Sequence, residues 1–325
     1  MAAKTNTSII SRTGWLTGLL LLLCPIPGAA TIQLQKSHSD DQLHFHYQWR
    51  QDSQWRQDSE LQQFRFSIPQ QSMHQHLPGF RRYSEKLAAT YMRQALMQQA
   101  AELPLVQIQL LPGTASIDYQ IKAPDQTTAQ QSRQQLQAAM QQARQRYLEQ
   151  IYHTEWQLNP RRQVIMVDHR RIVQHSMSDL LPIAVSLQQK FPYTTTRELS
   201  QFLLDWIQRI PYQQLDDRSA SSGEGFNPPL QVIHQHQGDC DSKAVLMATL
   251  LKLLLPDVRL AMIYLPNHAV LAIGMRATDN DMQLELEGHT YVLTDPTGPA
   301  LQPVGQLSSR YRVYLQPGVV NYRLL

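Results

Sequence analysis

The segment CDSKAVLMATLLKLLL, residues 240–255, sets the first requirement on any fold this chain can adopt. A helix drawn through Ala244, Leu251 and Leu255 is apolar on nearly every side. Such a helix has no solvent face, so it must run through the middle of a domain with other elements packed around it. Gly238 breaks whatever precedes it and Asp239 is an N-cap residue, which puts Cys240 in the first helical turn.

The chain has 325 residues, enough for one large domain or two ordinary ones with a real core. Its first thirty residues stand apart. Lys4 and Arg12 precede the apolar run Trp15 to Leu23, a Pro-Gly turn segment and the small pair Ala29 and Ala30. That pattern predicts a secretory signal peptide over residues 1–30, cleaved after Ala30, and a periplasmic or secreted mature protein. The run is short for a bilayer span, which takes about 20 residues, so membrane contact is expected only if the segment stays uncleaved. Leu23 stands where a lipid-attachment cysteine needs a small residue before it. Removal of Lys4 and Arg12 lowers the formal charge from +3 to +1, which argues against a nucleic-acid partner or an anionic membrane surface.

Cleavage would also remove Cys24 and leave Cys240 as the one thiol, so no disulfide forms within the mature chain. A solitary cysteine in an exported protein is an intermolecular bridge or a reactive thiol; the plainer reading is a small buried hydrophobe.

Residues 31–170 read as an α+β module. Leu43, Phe45, Tyr47 and Trp49 alternate with polar residues as a strand with one buried face, and Phe64, Phe66 and Ile68 repeat the pattern. Between them the duplication WRQDSQ–WRQDSE reads as a hairpin end. A helix is predicted over 79–102, strands at 106–110 and 117–121 around Pro112-Gly113, a second helix after Pro124 with Leu136, Met140, Ala143, Tyr147 and Ile151 on one face, and a strand at 164–167. No chemistry is assigned to this module; packing or substrate recognition is its expected role, and a pro-segment covering the cleft is a further possibility.

Residues 171–325 form the second unit. Thr195 and Glu198 have capping-box spacing ahead of the stripe Leu199, Phe202, Trp206 and Ile210. A long polar loop is predicted over 213–233. Strands at 258–264 and 268–275, joined at Pro266-Asn267, place His268 at a strand start, 28 residues after Cys240. Another strand, 290–294, delivers Asp295. A thiol at a helix start, an imidazole on a strand and a carboxylate at the end of the next supply a nucleophile, a base and an orienting acid. The helix N-terminus favours thiolate and an oxyanion, while Asp239 and Asp241 oppose ionisation.

The stretches GDCDSKAVLMATLLK, NHAVLAI and LTDPTG resemble the three motif blocks of the transglutaminase-like superfamily, over roughly residues 190–300. The resemblance implies a papain-like α+β catalytic domain, its Cys-bearing central helix packed on an antiparallel sheet, of an exported bacterial type. It implies Cys240 as nucleophile, His268 as general base and then acid, and Asp295 as the group that holds the imidazole. Gln235, His236 and Gln237 are candidate substrate-binding residues ahead of the thiol. The chain has no D-x-D-x-D-G calcium loop. The implied activity is that of a cysteine peptidase or amidase acting on a protein or peptide through a thioester, with acyl transfer to an amine as a variant; the rival is a non-catalytic peptide- or glycan-binding module. No cofactor is implied. The pairs His44/His46, His74/His76 and His234/His236 could each face one side of a strand, yet no carboxylate or thiol completes a ligand set, so no metal is expected.

Overall fold

A computed structural model describes residues 32–51, 60–111, 117–159, 162–215, 225–316 and 320–325. The predicted signal segment, the second copy of the WRQDS repeat and the predicted Pro112-Gly113 turn lie outside the described residues. Among the described residues no helix is long and apolar enough to cross a membrane.

The chain is α+β. It opens with an antiparallel sheet of β1 (Ile32–Ser39), β2 (Gln42–Gln51) and β3 (Glu60–Pro69), in that order. Alternation along β2 and β3 puts Phe45, Tyr47, Trp49, Phe64, Phe66 and Ile68 on one buried face, as their spacing predicts. The short helix α1 (Gln70–Gln75) follows. A small lobe comprises α2 (Glu85–Ala101), the hairpin β4 (Gln107–Leu110) and β5 (Tyr119–Lys122), and α3 (Gln126–Gln150). It closes over its own core of Leu96, Leu136 and Met140. α2 begins later than its apolar spacing suggests because the Ser84 hydroxyl accepts from the Leu87 amide at 3.3 Å and fixes the start there. The hairpin β6 (His153–Asn159) and β7 (Arg162–Val167) leads out of the lobe.

The next element, α4 (His169–Lys190), is absent from the sequence reading. Pro182 within it reads as a helix breaker, but Ser178, whose carbonyl loses its partner, is exposed, and Ile172, Leu180, Ile183 and Leu187 hold the helix to the core. α5 (Thr196–Gln208) starts at the predicted capping box. The polar stretch 213–233 is not all loop: α6 (Pro229–Gln235) forms within it, with Pro229 at its first position, where a missing N–H costs nothing.

α7 (Cys240–Leu254) is the central helix its composition requires, with every residue from Ser242 to Leu251 buried. It lies between α4, α5 and α6 and the five-stranded antiparallel sheet β10-β11-β9-β8-β12. These strands are β8 (Leu260–Leu265), β9 (His268–Ile273), β10 (Gln283–Leu286), β11 (His289–Thr294) and β12 (Asn321–Leu324). Met262, Ala269, Leu271, Ile273 and Val292 share the core that contains α7. Ile263, Val270, Ala272 and Leu293 face the other way, where Leu307 and Tyr311 cover them, Tyr311 from a 3-10 helix over Ser309–Tyr314.

The N-terminal sheet and the α7 region share one continuous core. Trp206 of α5 sits at the junction, its ring 5.3 Å from Tyr47, 5.0 Å from Phe64 and 5.9 Å from Phe66. Beside it, the Trp49 indole N–H donates to Asp205 Oδ2 at 2.6 Å, and Arg209 binds both Asp205 and, at 2.9 Å, the Arg50 carbonyl.

Candidate active site

The Asp239 carboxylate caps α7 by accepting from the Ser242 amide at 3.2 Å, which leaves Cys240 as the first helical residue. Pairing of β9 with β11 ends at Leu271 opposite Thr294. One step further sets Asp295 across from Val270, and His268, two residues from Val270, shares its face. His268 Nε2 and Asp295 Oδ2 meet there at 2.9 Å. The sulfur of Cys240 approaches from the other side of the sheet, on α7, and accepts the backbone N–H of Ala269, the residue after His268.

Of the three predicted residues, the structure joins His268 to Asp295 and sets Cys240 beside the amide that follows His268. Asp295 occupies Nε2, which leaves Nδ1 as the imidazole's other ring nitrogen. No hydrogen bond joins Cys240 to His268.

Burial, followed by the charges of Asp241 and Asp239, pushes the Cys240 thiol up to about 12. The amides of Ala269 and Asp241 favour thiolate and are outweighed. The position at a helix start therefore does not ionise this sulfur. Burial works to raise the Asp295 carboxyl as well, but the bond and charge of His268, with the Thr297 amide at 3.0 Å, hold it below the usual carboxylate range.

Two residues that the sequence reading passed over clamp the turn bearing Asp295. Lys243, fully buried, donates its ammonium to the carbonyls of Ile210 and Thr297, and burial lowers it to about 7 against the opposing pull of Asp295 and Asp239. Gln208 donates Nε2 to the carbonyls of Asp295 at 2.7 Å and Gln302 at 3.0 Å. Gly298, at φ +64°, passes so close to the Gln208 carbonyl that a Cβ would stand 2.0 Å from its oxygen. A lysine inside an apolar helix and a glutamine beside an apolar stripe were the signals available: each needs a buried partner.

A second polar chain lies on the far side of Cys240. Asp241 Oδ2 meets His169 Nε2 at 3.1 Å, and His169 Nδ1 meets the Tyr264 hydroxyl at 2.9 Å. Burial lowers His169 to about 4, so its ring is neutral at pH 7. Burial raises both Asp239 and Asp241, and the charge of Asp241 raises Asp239 further, so this pair retains a proton that the unfolded chain releases. The stability contributed by the protonated Asp239 is full below the ordinary carboxylate range and is lost as pH rises above it. Asp239→Asn keeps the cap and the shape without the ionisation. We expect its stability advantage over wild type in urea denaturation to grow between about pH 5 and pH 8, reaching about 1 kcal/mol or more. Parallel curves for the two proteins would disprove the retained proton.

The three candidate substrate-binding residues have other partners. Gln235 Oε1 accepts from Asn227 Nδ2 at 2.9 Å and Gln237 Nε2 at 3.4 Å, and the Asn227 amide donates to Ser242 Oγ at 2.8 Å. His236 ends α6 in the left-handed region at φ 54° and packs its ring 5.6 Å from Tyr47, toward the N-terminal sheet. His44 is bonded through both ring nitrogens, to Ser39 and Ser67. No group of three His, Cys, Asp or Glu side chains suited to a metal occurs among the described residues.

No protein-family model, no curated protein and no solved structure matches the chain.

Proposed function

We propose that this chain is an exported cysteine hydrolase with a transglutaminase-like, papain-like catalytic domain, cleaving a peptide or isopeptide-type amide through a thioester on Cys240. His268 Nδ1 takes the thiol proton as sulfur bonds to the carbonyl carbon, and Asp295 at Nε2 holds the ring and stabilises the imidazolium. Collapse of the tetrahedral oxyanion breaks the C–N bond, and the imidazolium proton goes to the departing amine. Water then attacks the thioester while His268 takes its proton; the acid leaves and the sulfur is reprotonated. An amine in place of water gives acyl transfer.

The observation that carries this reading is the 2.9 Å bond between His268 and Asp295 beside a sulfur seated on the next residue's amide. A base already oriented by a carboxylate is what a neutral thiol needs. The test is single-turnover acylation by a panel of peptide thioesters and amides, with water or amines as acceptors, in wild type and Cys240→Ala. Acyl-enzyme in wild type alone supports the proposal, and product composition separates hydrolysis from transfer. Absence of acyl-enzyme with every donor would sink it.

One observation favours a non-catalytic binding module on the same fold: the thiol is held neutral by burial and two acids. Iodoacetamide separates the readings, since an inert thiol alkylates at one slow rate whether or not His268 is present, whereas a base-assisted thiol loses rate in His268→Ala.

A further inference from the structure

The loop after β11 returns across the sheet face that carries His268. Its 3-10 helix sets the Tyr311 ring parallel to the imidazole, centroids 4.9 Å apart and planes inclined by 12°. Tyr311 is buried, in the same cluster as Val270, Ala272 and Leu293. The Arg310 guanidinium lies 4.6 Å from the ring centroid and donates to the tyrosine hydroxyl at 2.5 Å.

We propose that Tyr311 is a positioning residue for His268: its ring fixes the plane of the imidazole and provides the electron-rich face on which the imidazolium forms when the thiol proton is taken. This rests on the hydrolase reading above. Asp295 alone holds His268 at one ring atom, in the ring plane, and that leaves rotation about the Nε2···Oδ2 line unopposed. A parallel neighbour opposes that rotation, because turning the imidazole drives its edge into the π face. Together the two contacts aim Nδ1. The charge argument acts in the same direction. Removing the proton from a neutral thiol places a new positive charge on the imidazole, and a π face stabilises a cation near its centroid. Tyr311 lies beyond the motif blocks that carry the family resemblance, so this contact belongs to the chain's own C-terminal loop.

The test reads the rate at which iodoacetamide alkylates Cys240, with thermal unfolding measured alongside. Tyr311→Phe keeps the ring and is expected to react within about twofold of wild type. Tyr311→Leu keeps apolar bulk without a π face and is expected to slow by roughly tenfold, the middle of the range for a ring–cation contact. Pentafluorophenylalanine installed at position 311 keeps the shape of the ring and reverses its quadrupole, so it separates packing from charge even if the leucine variant unfolds. It is expected to slow as much as leucine does. A fluorinated variant as fast as Tyr311→Phe would overturn the inference, as would a folded leucine variant matching wild type. If wild type itself alkylates at the rate of His268→Ala, the hydrolase reading falls and this inference falls with it; a His268-dependent rate that ignores position 311 removes this inference alone.

Discussion

Cys240→Ala is expected to abolish thioester formation and lower turnover by about 10⁴-fold or more, with a thermal midpoint close to wild type. The chemical loss is large because the remaining imidazole and carboxylate have no nucleophile to serve. The structural loss is small because Cys240 is only partly buried at the edge of the core and its side chain is one sulfur larger than alanine. His268→Ala should lose nearly as much, and the double variant no more than either single one, since the two act as a unit. Asp295→Asn removes the charge that stabilises the imidazolium and leaves the wrong tautomer bonded at Nε2, so it should lose about 10²–10⁴-fold. Pre-steady-state acylation with a thioester donor measures all four. Retention of wild-type turnover in Cys240→Ala would transfer any activity to another part of the molecule.

The placement of these residues was legible because each lies on an element that sequence specifies locally. The helix of Cys240 follows from a Gly-Asp start and an apolar run, and the strand of His268 from its alternation. Asp295 follows from a strand that ends at Asp-Pro. Pairwise register then brings His268 and Asp295 together without further information. The ionisation state was not legible. Helix position and sequence neighbours gave opposing signs for Cys240, and burial, which depends on what packs over α7, decides the outcome. Lys243, Gln208 and Tyr311 were missed for a related reason. Their partners are carbonyls and rings 33 to 94 positions away, which no local pattern encodes. The α4 helix is hidden differently: it carries Pro182, a residue that ordinarily ends a helix, and tertiary packing holds the helix through it.

Register and alternation also fail to show which parts of the chain depend on one another, and here the structure makes a strong prediction. Asp205 is buried between Arg209 and the Trp49 indole, so Asp205→Ala leaves the buried Arg209 charge with backbone carbonyls alone and no counter-ion, and deprives Trp49 of its acceptor. Removing one partner of a buried pair costs about 3–5 kcal/mol. Trp206→Ala, which empties the centre of the ring cluster of Tyr47, Phe64 and Phe66, costs about the same. Either loss is comparable to the total stability of an ordinary domain. A chain starting at residue 171 loses the whole cluster and exposes Phe202, Trp206 and Ile233 at once. It is therefore expected to be insoluble or to bind hydrophobic dyes without a cooperative transition, whereas residues 31–325 are expected to unfold in a single step. A removable pro-segment would leave a folded remainder, because its interface would lie over the catalytic cleft; here the N-terminal strands contribute to the core itself. Expression of residues 171–325, followed by circular dichroism during heating, decides the matter: a cooperative transition at the midpoint of residues 31–325 would show that the ring cluster holds two independent domains in contact and not one.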